Sequence, residues 1–375
     1  MPTARVRVSL PPGDIDRSYD VLIQDGLLDE LGEGSQPLPA ASSYFIVTDS
    51  NVSRLYGRRL RASISNLHPK VGLVAFPAGE ANKNIETAST IASKLSRVGA
   101  DRRSVVLALG GGVVGDLAGF VASVYMRGIE YVQMPTTLLA QVDSSIGGKT
   151  GVDTPWGKNQ LGTFHQPRAV LTDPQTLRTL PAQEVTNGAA EIAKCAIVAS
   201  RGMFEKMCAL REFDQETLRE FIVEACRIKA QIVSEDEEES NLRAVLNFGH
   251  TVGHAIESAS DYSLGHGASV LLGMMAESWI AHDLGLLGSD DFARISDLLR
   301  LLSGRAAIRA GLVDEKKLAK FARADKKSLS STLRMSLPVE VGRMHVTREG
   351  SYMTPIPQEV FIESIRRLPE LFPRH

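Results

Sequence analysis

Along the first half of the chain, short β-rich apolar runs alternate with stretches whose apolar residues recur at helical spacing. Tyr44–Val47, Val71–Phe76, Val105–Leu109, Tyr131–Met134 and Ala169–Thr172 are rich in branched and aromatic side chains, as strands buried on both faces are. Between them, Asn84–Val98 and Val113–Met126 repeat apolar residues at the helical period. This alternation predicts βαβ units and an α/β, doubly wound, largely parallel sheet. After Pro181 the strand signals almost vanish. Gln183–Ala199, Gln215–Ser234, His250–Ala259, Ala268–Leu284 and Asp290–Leu302 read instead as amphipathic helices. The pattern therefore divides the chain into an α/β domain over residues 1–180 and an all-α domain over 181–375. Val339–Pro357 looks irregular or strand-like and carries no functional reading.

The length of 375 residues agrees with two domains, and 43% hydrophobic with 23% charged residues is an ordinary globular composition. A formal net charge of -2 supplies no broad basic field, so neither nucleic acid nor a membrane surface is an expected partner. Cys195, Cys208 and Cys226 are odd in number, lack a CxxC spacing and read as reduced thiols. Met1–Gly13 has no apolar signal-like core, and no stretch reaches the roughly 18 apolar residues of a spanning helix. The expected location is the cytoplasm.

Chemistry enters first at Leu107–Asp116, where Gly110, Gly112 and Gly115 stand in GxGxxG spacing between a predicted strand and a predicted helix. Glycines there let the backbone approach a pyrophosphate whose charge is met by the helix N-terminus. The bland alternative is a tight βα turn. The acidic residue that should follow the next strand is missing, since Glu130 precedes it, so the order is non-standard. Asp49, after an earlier strand, and Glu80 with Lys83 are the candidate ribose and base contacts of a dinucleotide.

Three of the eight histidines, His250, His254 and His266, fall within 17 residues. Arg243, Asn247, His250 and His254 stand at i, i+4, i+7 and i+11, one face of a continuous helix unless Gly249 starts or kinks it. A single buried histidine is usually a satisfied core residue, but a cluster beside Asn and Arg points to a metal. Two histidines and a carboxylate with an open position suit a catalytic zinc or similar ion. Glu191, one helical turn from Lys194 in an Ala-rich stretch, is the candidate carboxylate, against the plain reading of a surface ion pair. A third set is cationic and punctuated by glycine: Arg127-Gly128, Asp143 through Lys149, and Gly157-Lys158-Asn159. Such loops seat phosphate or carboxylate, although a lone lysine is more often solvated.

These motifs together resemble the 3-dehydroquinate synthases of the shikimate pathway, within the wider group of sugar phosphate cyclases. The resemblance runs from Gly110-Gly-Gly-Val-Val-Gly-Asp through Pro135-Thr-Thr-Leu-Leu-Ala-Gln-Val-Asp-Ser-Ser-Ile-Gly-Gly-Lys-Thr to Gly157-Lys-Asn. It resumes at Glu191-Ile-Ala-Lys, Asp236-Glu-Glu-Glu239, Asn247-Phe-Gly-His-Thr-Val-Gly-His-Ala-Ile-Glu257, His266-Gly and Asp325-Lys-Lys. It implies a Rossmann-like N-terminal domain followed by a helical metal-binding domain, and a homodimer. By it, Glu191, His250 and His266 bind zinc or cobalt. Lys149, Lys194, Lys229, Arg243, Asn247, His254, Asn159, Asp143, Glu239 and Arg127 are substrate or catalytic residues, and Lys326 or Lys327 reaches in too. NAD falls to Asp49, Glu80, Lys83, Gly110, Gly111, Gly112, Val113, Gly115, Asp116, Thr136, Thr137 and Lys158.

The implied reaction removes hydride from C5 of 3-deoxy-D-arabino-heptulosonate 7-phosphate, which acidifies C6 so that phosphate leaves. Hydride then returns, the ring opens, and an intramolecular aldol closes the carbocycle of 3-dehydroquinate. NAD is thereby a catalyst in a lyase of aromatic amino acid biosynthesis. Two departures stand out: Ala268 where the family usually has Glu two residues after the histidine, and Cys195 where Tyr is frequent. The nearest rivals are 2-deoxy-scyllo-inosose and 2-epi-5-epi-valiolone synthases, and the latter type lacks a histidine at the position of His254. Metal-dependent polyol dehydrogenases would give net hydride transfer, and they lack the Asp143–Lys149 and Gly157–Asn159 patterns.

Overall fold

All five strands expected in the first half form, and they join one sheet. The computed structural model describes residues 3–13, 16–31, 38–210, 214–260, 264–303 and 333–372. Lys326 and Lys327 lie outside them. The described chain divides into two units, residues 1–180 with 215–234, and residues 181–214 with 235–375.

The first unit holds a seven-stranded sheet in the order β1-β2-β9-β6-β5-β3-β4. Its strands are β1 (Ala4–Val8), β2 (Tyr19–Ile23), β3 (Tyr44–Asp49), β4 (Val71–Phe76), β5 (Val105–Gly110), β6 (Glu130–Pro135) and β9 (Ala169–Thr172). Only β1 is antiparallel to its neighbour. Both faces are covered, which explains the unbroken apolar runs. Phe45, Val47, Val106 and Ala108 enter one core with Ile91 and Leu117, whereas Ile46, Leu107 and Leu109 enter the other with Leu60 and Ile64. The helices of this unit are α1 (Leu27–Glu30), α2 (Ser50–Val52), α3 (Arg58–Ser65), α4 (Ile85–Arg97) and α5 (Gly112–Val124).

Two features were not expected from the pattern. A hairpin of β7 (Lys149–Thr154) and β8 (Gly157–Phe164) is hidden by its many polar and glycine positions. A Cβ on Gly162 would lie 2.4 Å from the Thr150 carbonyl oxygen, so the two strands approach as only glycine permits. The second feature corrects the expected division at residue 180. Helix α8 (Gln215–Glu235) follows α6 (Ala182–Ala199) and α7 (Arg201–Ala209) in sequence, yet Gln215–Ser234 belongs with the first unit. Its partners there include the Gln141 carbonyl oxygen, which accepts from Cys226, and Asp143, which accepts from Lys229.

In the second unit α6 and α7 are joined by α9 (His250–Ala259), α10 (His266–Asp283), α11 (Ser289–Ser303) and α12 (Gln358–Leu371). It is not purely helical: β10 (Leu333–Met335) pairs with β13 (Thr354–Ile356), and β11 (Pro338–Glu340) with β12 (Arg343–Met344). No described helix is long and apolar enough to cross a membrane.

Candidate active site

In the first unit the chain goes from β3 outward to β4, then returns across β3 to β5, so the strand order reverses at β3. In open α/β sheets, ligands bind outside the carboxyl ends of strands at such a reversal. Asp49 ends β3, Glu80 and Lys83 follow β4, Gly110 ends β5, and Thr136 and Thr137 follow β6. Thr136 donates its N–H to the Gly110 carbonyl oxygen at 2.9 Å, joining two of these ends. Gly111 precedes α5 and no side chain caps that helix, so the amides of Gly112 and Val113 are available to an anion. The glycines also set the packing. A Cβ on Gly115 would lie 2.7 Å from Gln133 Oε1, and one on Gly111 would lie 2.9 Å from Thr137 Cγ2. Asp49 is engaged already as the cap of α2, accepting from Asn51 and Val52.

Lys83 draws several of these parts together. It is buried, and its ammonium donates to Asp116 Oδ2 at 2.6 Å and to Asn159 Oδ1 at 2.5 Å. Burial works against its charge, but Asp116 and Glu80 outweigh burial and hold its pKa above the ordinary value. Asn159 is kept at φ 55 on β8, with its N–H donating to Asp153. Lys158, beside it, stands 3.9 Å from the exposed Glu80. Lys229 of α8 donates to both the carbonyl and the carboxylate of Asp143, which lies in the π-helical turn Ala140–Ser144. Lys149 opens β7 and is exposed, as is Arg127.

In the second unit Glu191, His250 and His266 come together from α6, α9 and α10. Glu191 is fully buried, with Oε1 3.6 Å from His250 Nε2 and 3.4 Å from His266 Nε2, while Oε2 is paired with Lys194. A tetrahedral ion with bonds of roughly 2.1 Å holds its ligand atoms about 3.4 Å apart, so the spacing fits such an ion. Burial and the Lys194 charge hold the His250 pKa down at about 3, leaving a neutral imidazole of the kind metals take. For His266 burial also works downward, but hydrogen bonding to Glu191 and Glu257 pushes it up to about 9. The exposed His254 lies within ring contact of both, at 5.3 and 6.3 Å between centroids.

Of the two arrangements open for Arg243, Asn247, His250 and His254, the one in which Gly249 starts a new helix is found, and the four do not share a single helical face. Leu242–Asn247 is a 3-10 turn, Gly249 takes φ 81, and α9 begins afresh at His250. Arg243 is instead buried against its own loop, where its guanidinium donates to the Glu237 carbonyl oxygen. Asn247 donates to Glu239. The non-glycine residues with left-handed backbone among those described are Met126, Arg127, Asn159 and Glu239, and all but Met126 are candidate site residues. Strain of this sort gathers where function requires a side chain to be aimed.

Residues 73–187 match the family model described as 3-dehydroquinate synthase N-terminal, and residues 188–328 match 3-dehydroquinate synthase C-terminal. The chain belongs to the 3-dehydroquinate synthase family. A 3-dehydroquinate synthase from Symbiobacterium thermophilum is 43% identical over 342 residues, covering 90% of this chain and 95% of that protein. Among solved structures, 2-deoxy-scyllo-inosose synthase complexed with carbaglucose-6-phosphate, NAD+ and Co2+ has a TM-score of 0.87 at 25% identity, covering 98% of this chain and 99% of its own. A 2-epi-5-epi-valiolone synthase from Streptomyces hygroscopicus subsp. jinggangensis, with NAD+ and Zn2+ bound, has a TM-score of 0.82 at 29% identity, covering 96% and 98%.

The triad of this family member rests on residues for which the sequence indicated no role. Asn187, one turn before Glu191, accepts the Gly267 N–H at 3.0 Å, and a Cβ on Gly267 would lie 2.4 Å from the Asn187 Cα. This contact seats the start of α10, and hence His266, over α6. Glu257 Oε2 lies 3.9 Å from His266 Nδ1, so a carboxylate stands beside that ring although position 268 is alanine. Glu277 lies beneath α9. The available signal for it was a carboxylate in a helix whose other residues are apolar nearly all round.

Proposed function

We propose that this chain converts 3-deoxy-D-arabino-heptulosonate 7-phosphate to 3-dehydroquinate and phosphate, as a cytoplasmic homodimer. The observation that carries the reading is the triangle of Glu191, His250 and His266, found in a chain of this family. NAD and a zinc or cobalt ion, when bound, would take and return the hydride and polarise the C5 oxygen. Glu191, His250 and His266 would hold the ion, with Lys194 balancing the Glu191 oxygen turned away from the histidines. The α5 amides and Thr136 with Thr137 would receive the cofactor pyrophosphate, and Asp49, Glu80, Lys83 and Lys158 its sugar and base ends.

Lys149, Lys194, Lys229, Arg243 and Asn159 would bind the anionic ends of the substrate, with Arg127 as a further cation. Asp143 holds the Lys229 ammonium, and Glu239 holds the Asn247 amide, so each is presented in one direction. His254 is the group for proton transfer, since its ring is exposed and next to His250.

The test is release of phosphate by purified protein with NAD, with and without a chelator. The heptulosonate phosphate should release phosphate only when metal is present. Release from sedoheptulose 7-phosphate or glucose 6-phosphate instead would sink the substrate assignment, and turnover untouched by chelation would sink the metal triad.

A further inference from the structure

Helix α9 starts without a cap of its own. The residue before it, Gly249, has no side chain and takes φ 81, which leaves the first amides of the helix without local acceptors. Their acceptor comes from α10. The Glu277 carboxylate accepts the Gly249 N–H through Oε2 at 2.6 Å and the Val252 N–H through Oε1 at 3.0 Å. Glu277 has no exposed surface, and no described cation pairs with it. The contact is possible because α10 touches the start of α9 backbone to backbone. A Cβ on Gly273 would lie 1.9 Å from the Gly249 carbonyl oxygen and 2.7 Å from the Gly253 nitrogen.

His266, Val270, Gly273 and Glu277 stand at i, i+4, i+7 and i+11, one stripe of α10. That stripe carries His266 at its first residue and, three turns on, the carboxylate that grips the residues on either side of His250. A leucine of similar volume would fill the same core without the cost of burying a polar group, so Glu277 is explained by the two N–H groups that donate to it.

We propose that Glu277 is a positioning residue for the metal centre, fixing the first turn of α9 and with it the direction in which His250 faces Glu191 and His266. This rests on the reading of Glu191, His250 and His266 as metal ligands.

The test titrates metal-free full-length protein with Co2+, following cobalt absorption, in wild type, Glu277→Gln, Glu277→Leu, His250→Ala and Leu298→Ala. Circular dichroism checks each fold. Leu298 is buried on α11, and its truncation serves as a destabilised control. Expected are folded Glu277 variants that bind Co2+ about 10- to 100-fold more weakly, and a Leu298→Ala protein of lower Tm and unchanged affinity. Wild-type affinity in folded Glu277 variants overturns the proposal. So does an equal loss in Leu298→Ala, or failure of both Glu277 variants to fold, since the carboxylate would then be serving the core. If His250→Ala binds Co2+ as wild type does, the ligand assignment itself fails, and the proposal with it.

Discussion

Asp236 organises a loop of candidate residues while touching none of their functional atoms. Its carboxylate accepts from the N–H groups of Ser240 at 2.8 Å, Asn241 at 2.8 Å and Arg243 at 2.9 Å, and from the Ser240 hydroxyl at 2.9 Å. Burial pushes its pKa up, but the amides of Asn241, Arg243 and Ser240 outweigh this and bring it down to about 2 from 3.8. A folded-state pKa below the unfolded one adds stability above the unfolded value and loses it as pH falls through the folded value. The contribution, on the order of 2 kcal/mol, should be complete at pH 7 and disappear between about pH 4 and pH 2. Urea unfolding of wild type and Asp236→Asn should therefore show a gap at neutral pH that closes on acidification. A gap independent of pH would refute the assignment. At this scale the sequence was legible where a side chain meets a near neighbour, as Glu191 meets Lys194. It indicated no role for Asn187, Glu257 or Glu277, whose partners belong to another helix or to the residue that precedes it.

The helices that carry the candidate metal ligands His250 and His266 are held together by small residues. Gly273 is where α9 and α10 meet, and the contacts run from Gly249 beside Met274, through Gly253 beside Ser269, to Glu257 beside His266, so the two helices are antiparallel. Gly273→Ala would force a methyl into the Gly249 carbonyl, and backbone cannot move aside as a flexible side chain can. The loss should reach at least about 2 kcal/mol, with Co2+ affinity falling as the helices part. Gly288→Ala, where a Cβ meets nothing within 4 Å, is the matched control and should leave Tm nearly unchanged. Comparable melting of the two variants would remove the argument for a backbone contact. Helix boundaries here were readable from periodicity, and α9 begins at the expected residue. Gly249 was legible as a start or kink of that helix, and its φ of 81 is what parts Arg243 and Asn247 from the face of His250 and His254.

For the molecule as a whole, the alternation of runs disclosed the parallel sheet and the later helices, but not the assignment of α8. An amphipathic helix advertises one apolar face without saying which core covers it, and α8 joins the sheet-bearing unit through partners remote in sequence, among them Asp143 for Lys229. Function at this scale turns on whether hydride is returned. Architecture cannot decide it, because a fold hosts many reactions. On the proposed reading, the cations and polar groups beyond the candidate metal triad suit an anionic substrate: Lys229 held by Asp143, Lys194 by Glu191, and Asn159 by Lys83. A chain that borrows hydride should complete many turnovers on each NAD. With NAD well below substrate concentration, phosphate release should far exceed the NAD present, and NADH should not accumulate. A dehydrogenase under the same conditions would stop after one equivalent and leave NADH equal to product. Stoichiometric NADH would therefore overturn the cyclase reading even if phosphate were found. Lys229→Met should slow phosphate release while sparing NAD binding, because on the proposed reading Lys229 of α8 faces the substrate and is not among the cofactor contacts.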